Sequence, residues 1–504
     1  DETITSFRED NFNFASDEAA LRDRWLRRLK LRVMGRIYDE VAGDSAKKTS
    51  FKDALPAREA ATREKVKQAE RKTIKKILEY SGGFDAFVSE LYLNAIAACF
   101  DPHSNYFSPK AGEEFRAELS TEALSFGIEL DENDKGQVIT HQLVPGGPAW
   151  KSGELHEGDE LQSLQWEGKE AEDMSNASLE EVYDVLDQSS TGRMVFKFKK
   201  ADGRIAIVLL RKEKLENEEN IVKGFVLKAR LPEGQGEKKI GYILLPGFYT
   251  EWENETGSGC ANDVAKAIIR LKKENVEGLI LDVRYNGGGS VGEALEMAGI
   301  FIDEGPLCAE KSKEGKQVTL KDPNRGTIYD GPLALMVNGQ SASASELLAA
   351  TLQDYNRAVI IGCKTYGKAT GQVVFSLDTI STKAEPVPGR DAAKITVMKL
   401  YRLTGGSAQF TGVSPDVILP DAFDALEYRE EFSKHALTPD TGKKNSYYIP
   451  LPALPVSELF RRSTARVIAS HEFNEVKNLL KQKKNCLQRP KESFPLNGTS
   501  LKNG

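Results

Sequence analysis

At 504 residues, 40% hydrophobic and 29% charged, the chain is too long for a single core and has the texture of globular protein divided into three or four units. A net charge of −7 argues against nucleic acid as a partner, although basic segments occur in the first hundred residues, and no apolar run is long enough to span a bilayer. The five cysteines, at 99, 260, 308, 363 and 486, lack any CxxC spacing, so neither a zinc site nor a disulfide framework is indicated. The first residues, "DETITSFREDNF", have no basic or apolar signal region; any export signal is expected to have been removed ahead of them.

From about Asp17 to Tyr80, "LRDRWLRRLKLRVMGRIYDEV" and "AREAATREKVKQAERKTIKKILEY" mix charged and apolar residues at three- and four-residue spacing, which predicts a helical N-terminal domain with solvated outer faces. Near residue 118 the texture changes to short β-like runs such as "SFGIELDE", "GQVITHQLV" and "RMVFKFKK", with one helical stretch in "SLEEVYDVLDQ". That composition describes a small, partly open barrel or sandwich. From about 238 to 420 the strand-like runs "KIGYILL", "GLILDVRY", "PLALMV" and "AVIIG" alternate with helices at 260–274, 291–300 and 343–355, the pattern of an α/β domain with a largely parallel sheet. After residue 430 helix returns around "SELFRRSTARVIASHEFNEVKNLLKQ".

Two motifs compete over "NGGGSVGEALEMAG". Gly287, Gly289 and Gly292 satisfy GxGxxG, with Asp303 and Glu304 downstream, while Gly288, Ser290 and Gly292 satisfy the GxSxG of a nucleophile elbow. The first lacks a second mononucleotide half, and the second would need His435 or His471 from the C-terminal part. A plain strand-to-helix turn accounts for the glycines equally well, and its amides could still hold an oxyanion.

A different constellation begins at "SASASE". Ser343 and Glu346 form the S-x-x-E capping box of a helix running through Leu347, Leu348 and Leu352, and capping alone accounts for Ser343. A nucleophile also gains from that position, because the amide of Ala344 is free to stabilise an oxyanion. No histidine lies in this region, so the base would be Lys368 in "TYGKATG", which loses proton affinity if desolvated and is an ordinary loop lysine if not. Gln372 could orient the amine or be a plain strand residue. Asp354 opposes the dipole at the C-terminal end of the helix, so a specific partner is expected. "HEFNE" at 471–475 lacks the second histidine of a metalloprotease motif.

Together, "SASASE" (341–346), "QDYNRAVIIG" (353–362), "TYGKATGQ" (365–372) and "KLYRLTGGSAQFTGVSPDVILPD" (399–421) resemble the C-terminal processing peptidase, or tail-specific protease, family of bacterial serine proteases, over roughly residues 90–430. "LDVRYNGGG" (281–289) fits that family's glycine-rich strand end, and "FDPHSNYFSP" (100–109) the segment leading into its peptide-binding module. The resemblance implies a multidomain α+β chain: a helical N-terminal domain (1–115), a PDZ domain (116–215), an α/β Ser-Lys protease core of the crotonase/ClpP-like type (216–430) and a helical C-terminal segment (431–504).

It also implies roles. Ser343 would be the nucleophile, Lys368 its base and Gln372 the helper that positions the lysine. Gly288, Gly289 and the amide of Ala344 would form the oxyanion hole, with Asp354 in support. Ala369 departs from the glycine common in the family, which restricts the loop. In the PDZ domain, amides near Phe126, Gly127 and Ile128 would hold a terminal carboxylate, and Val182, Val185 or Leu186 would line an apolar pocket. The implied protein is a serine endopeptidase that recognises free apolar C-terminal tails and cleaves upstream, with no cofactor and no metal. Its partners would be protein or peptide substrates, with room for an adaptor protein. Its place would be the bacterial periplasm or cell envelope, held to a membrane only through an anchor outside this sequence. The rival readings are a non-catalytic PDZ-type tail-binding protein on a degenerate core and an α/β-hydrolase using Ser290. A resting form with Ser343 and Lys368 too far apart to hydrogen-bond is compatible with the endopeptidase reading, because tail binding could assemble the site.

Overall fold

The computed structural model describes residues 3–5, 14–43, 51–78, 80, 82–118, 122–133, 137–175, 177–186, 192–216, 221–230, 237–250, 259–322, 324–377, 390–424, 426–445, 447–487 and 493–495. The two charged N-terminal runs form helices Glu18–Gly43 and Phe51–Leu78, which pack on each other around Val33, Ile37, Ala54 and Val66. The apolar helix Phe84–Ala98 follows and buries none of its described side chains.

The β-like runs of the middle unit fold into an antiparallel sheet in the order Ile128–Glu132, Val138–Leu143, Glu160–Trp166, Arg193–Lys199, Ile205–Arg211. Alternation decides its faces: Met194, Phe196 and Phe198 point into the core, whereas Arg193, Lys197 and Lys199 are exposed. Each fully buried large side chain of this kind contributes about 1.5–3 kcal/mol. The helix Leu179–Leu186 supplies Val182, Val185 and Leu186 to the same core. Chain enters and leaves this unit through one antiparallel ribbon, Glu122–Ser125 against Glu213–Glu216.

The strand and helix alternation read between 238 and 420 forms a parallel sheet in the order Glu237–Leu244, Gly278–Asp282, Leu333–Val337, Val359–Gly362, Val417–Ile418, with Lys223–Arg230 antiparallel on its outer edge. Its crossovers are the helices Cys260–Lys273, Val291–Gly299 and Ala344–Asp354. A second, antiparallel sheet, absent from the sequence reading, runs Gln317–Lys321, Pro306–Ser312, Ala392–Tyr401, Thr370–Ser376, and Asn105–Phe107 adds to Ala392–Tyr401. The helix Ala344–Asp354 touches Pro306–Ser312 of this sheet and Val359–Gly362 of the parallel one. Its leucines and alanines are buried on all sides, which explains why its sequence shows little amphipathic patterning. The C-terminal helices Val456–Ala469 and His471–Leu487 follow, the first against Val417–Ile418, and Ser493–Pro495 pairs with Thr3–Thr5.

Candidate active site

Ser343 lies just past the end of the strand Leu333–Val337, at the N-cap of the helix Ala344–Asp354. Its backbone has φ 56° and ψ −112°, a conformation costing a non-glycine residue about 1–3 kcal/mol and sustained by what surrounds it. The flanking serines tie the turn down. Ser341 Oγ donates to the Val283 carbonyl at 2.8 Å, Ser345 Oγ donates to the Asn286 carbonyl at 2.9 Å, and the Ala342 amide donates to the same Asn286 carbonyl at 3.0 Å. These bonds join the serine turn to the glycine loop after strand Gly278–Asp282.

Gly288 (φ +106°) and Gly289 (φ +138°) occupy backbone conformations that disfavour side chains. A Cβ on Gly288 would stand 2.7 Å from Ser343 Cβ, and one on Gly289 would stand 2.3 Å from the Phe248 carbonyl oxygen. The Gly288 amide is already committed, donating to Asn286 Oδ1 at 2.9 Å. The amides of Gly289 and Ala344 make no hydrogen bond among the described residues. Of the three expected oxyanion donors, then, two are uncommitted and one is spent on shaping the loop.

The fully buried Glu346 does more than the capping box anticipated. Its carboxylate accepts from the Ser343 amide (2.9 Å), Thr365 Oγ1 (2.5 Å), the Gly367 amide (2.7 Å) and the Lys368 amide (2.8 Å). One side chain thereby stitches the start of the serine helix to the lysine loop. Burial pushes its carboxyl up to about 7, with the donated hydrogen bonds pulling the other way.

Lys368 is half-buried, and desolvation first, then the Lys394 ammonium, pushes it down to about 8 against the opposing pull of Glu430, Glu346 and Asp101. Its Nζ donates to Gln372 Oε1 at 2.8 Å and makes no hydrogen bond to Ser343 among the described residues. Gln372 Nε2 in turn donates to Thr370 Oγ1 at 2.9 Å and Thr396 Oγ1 at 3.0 Å. Ala369 has no positive φ, so its methyl is carried without strain, and its amide donates to Gln409 Oε1 at 2.8 Å. A small cavity of about 20 Å³, room for one water, opens beside Ser343 between Cys308, Leu347, Ala350, Ala369, Leu400 and Ala408.

Other expectations resolve differently. Asp354 finds its partner in Arg402, whose Nη2 and Nε lie 2.5 and 3.1 Å from Asp354 Oδ1; it is bonded to neither Ser343 nor Lys368. Ser290 Oγ accepts from the Glu293 amide and caps the helix Val291–Gly299. His471 is exposed on its own helix beside Glu475. Asp303 accepts from the Gly326 amide at 2.8 Å. Neither glycine motif has gathered the partners its chemistry requires. In the middle unit, Phe126, Val182, Val185 and Leu186 are buried in one core cluster. The Gly127 amide (φ +70°) donates to Ser125 Oγ at 3.0 Å, and Ile128 pairs with Leu143. Among the described residues no cluster of His, Cys, Asp or Glu could hold a metal ion, and no helix is long and apolar enough to cross a membrane.

Residues 239–419, which carry the serine turn, the glycine loop and the lysine loop, match the family described as Peptidase family S41. Residues 1–110 match the Tail specific protease N-terminal domain. The chain belongs to peptidase family S41. Among curated relatives, the "Tail-specific protease" of Haemophilus influenzae is 32% identical over 361 residues, 71% of this chain and 50% of that protein. The "Carboxy-terminal-processing protease" of Bartonella bacilliformis is 27% identical over 339 residues, 66% of this chain and 70% of that one. The chain thus spans half the length of the first of these relatives. The solved photosystem II D1 C-terminal processing protease is 24% identical, with a TM-score of 0.39, covering 77% of this chain and 93% of that structure.

Proposed function

We propose that this chain is a serine endopeptidase in which Ser343 is the nucleophile and Lys368 the general base, acting on protein substrates near their C-terminal ends. The observation that carries the reading is Ser343, strained at a helix N-cap against the glycine loop whose Gly289 amide, like that of Ala344, is uncommitted, and stitched through Glu346 to a half-buried lysine of lowered proton affinity. Neutral Lys368 takes the Ser343 hydroxyl proton as Oγ attacks the scissile carbonyl, and the two amides receive the oxyanion. Collapse expels the amine, which takes the proton back from the Lys368 ammonium; water, deprotonated by Lys368, then hydrolyses the acyl-enzyme. Because Lys368 is bonded to Gln372 and not to Ser343, the described arrangement is a resting one, and substrate binding closes the remaining gap. The small apolar cavity beside Ser343 fits a small side chain on the acyl side of the scissile bond.

The middle unit is read as a PDZ domain that captures the free carboxylate of a substrate tail at Phe126–Ile128. Its strands, its helices Pro148–Ser152 and Leu179–Leu186 and the glycine turn at Gly127 support this reading. In this reading the tail lies between the helix Leu179–Leu186 and Ile128–Glu132, beside Val182, Val185 and Leu186. The names of the bacterial relatives, a tail-specific and a carboxy-terminal-processing protease, support processing at C-termini.

Cleavage of an unstructured reporter with an apolar free C-terminus tests the proposal, using wild type, Ser343→Ala and Ser290→Ala side by side, with a C-terminally amidated copy of the reporter. Loss with Ser343→Ala and retention with Ser290→Ala are expected, together with weaker cleavage of the amidated copy. Undiminished cleavage by Ser343→Ala refutes the nucleophile, and equal cleavage of the amidated reporter refutes carboxylate capture.

A further inference from the structure

The geometry points to a positioning residue remote in sequence: Asp101, in the segment Asp101–Ser104 ahead of the middle unit, fixes which face of the Gln372 amide meets Lys368. This rests on the Ser343–Lys368 reading above and extends it to a segment in which sequence analysis saw only a lead-in to the next unit.

An amide side chain has nearly the same shape when its oxygen and nitrogen are exchanged, so hydrogen-bond partners decide its orientation. Gln372 sits at a β-bulge, where the register shifts between Gly371 and Gln372, and its cross-strand partner is Thr396. Thr396 Oγ1 lies 3.0 Å from Gln372 Nε2 and 2.9 Å from Asp101 Oδ1. A hydroxyl has one proton, and a carboxylate can only accept. The Thr396 proton therefore goes to Asp101, leaving only lone pairs toward Gln372, and Gln372 must present its NH2 to Thr396 and its oxygen to Lys368 Nζ at 2.8 Å.

The buried Asp101 is itself held firmly. It accepts from the His103 amide at 2.9 Å and from Ser104 Oγ at 2.5 Å, while Ser104 Oγ accepts from the Thr396 amide at 3.1 Å. The next residues, Asn105–Phe107, pair with the strand that carries Thr396, Asn105 opposite Lys394. The N-terminal region thus adds a strand to the sheet beneath the lysine and delivers a carboxylate to it.

The orientation matters because a neutral amine has one lone pair. With Gln372 Oε1 toward it, Lys368 donates an N–H and keeps its lone pair for the Ser343 proton. With the amide reversed, Gln372 Nε2 would donate into that lone pair and occupy it. Asp101 also acts on Lys368 through its charge, alongside Glu430, which lies 2.7 Å from His103 Nε2, and Glu346, and against Lys394.

The test compares wild type, Ser343→Ala, Thr396→Val, Thr396→Ser and Asp101→Asn on the same reporter, with kcat and KM measured across pH and folding verified by circular dichroism. Thr396→Val removes the relay and leaves Asp101 in place. It is expected to lower kcat about tenfold to a hundredfold with KM changed less than about twofold. Thr396→Ser, which keeps the hydroxyl, is expected to restore kcat. Asp101→Asn is expected to lower kcat and to move the acid limb of kcat/KM to lower pH, because a charge favouring the ammonium has gone. Wild-type kcat in Thr396→Val, or a loss in Thr396→Ser equal to that in Thr396→Val, overturns the inference. Cleavage that persists in Ser343→Ala instead overturns the underlying reading, so the two failures are separable.

Discussion

Lys368→Met replaces the half-buried, desolvated ammonium with an apolar side chain of similar length. In wild type the group is pushed from its usual 10.5 to about 8, so below pH 8 the folded protein holds an ammonium that burial disfavours. That drop corresponds to about 3 kcal/mol. The unfolded chain keeps its proton up to about 10.5 while the folded protein gives it up near 8, so wild-type stability rises with pH across that window and the contribution is lost again as pH falls through 8. Methionine has no such dependence. Against it stands Gln372 Oε1, which loses its donor at a cost of about 1–3 kcal/mol, so the two proteins differ by little at pH 7.5. The diagnostic quantity is the change in that difference. Wild type is expected to gain about 3 kcal/mol on the variant between pH 8 and 10.5, equivalent to roughly 6–12 °C in Tm for a domain of this size. Urea denaturation of both proteins at several pH values measures it. A stability difference that stays constant across the window refutes the desolvated base, and with it the mechanism's source of neutral amine.

With Lys368 as the proposed base, kcat/KM is expected to rise with pH toward a plateau above about 8, as the neutral amine becomes available. An acid limb centred near 6 in a full pH profile contradicts it. Glu346→Gln puts an NH2 group where an oxygen accepts from Ser343 and Lys368 amides or from Thr365 and Gly367. It is expected to cost about 3 kcal/mol in chemical denaturation and to depress kcat, since the serine and lysine loops lose their common anchor. Gly289→Ala forces a methyl against the Phe248 carbonyl and moves an uncommitted amide, so kcat is expected to fall about a hundredfold with the fold retained by circular dichroism. Ala350→Leu fills the cavity beside Ser343. Reporters with alanine before the scissile bond are expected to lose about tenfold or more in kcat/KM, and an unchanged value moves the specificity pocket elsewhere.

Much of the architecture is legible in local pattern. Buried runs such as "LALMV" and "VIIG", each followed or preceded by a helix, announce the parallel sheet, and the observed helix Ala344–Asp354 differs from the expected 343–355 only at its ends. The antiparallel sheet is not legible in the same way. Its strands Gln317–Lys321 and Ala392–Tyr401 mix lysines with half-buried apolar residues, and their pairing joins segments far apart in the chain. Glu346 is visible as a helix cap, whereas its bonds to Thr365, Gly367 and Lys368 belong to a loop some twenty residues on.

By itself the sequence determines the candidate nucleophile, the candidate base and the glycine loop, because their residue types and short-range spacing carry the chemistry: a helix start, a strand end and a flexed turn. Tertiary structure alone decides which glycine amide remains open, that Asp354 belongs to Arg402, and that Asp101 meets Thr396 across a separation of 295 residues. The reason is physical. Propensity and periodicity act over a few residues, whereas the desolvation that lowers the proton affinity of Lys368 and the hydrogen-bond polarity that orients Gln372 arise only when distant segments are packed against one another.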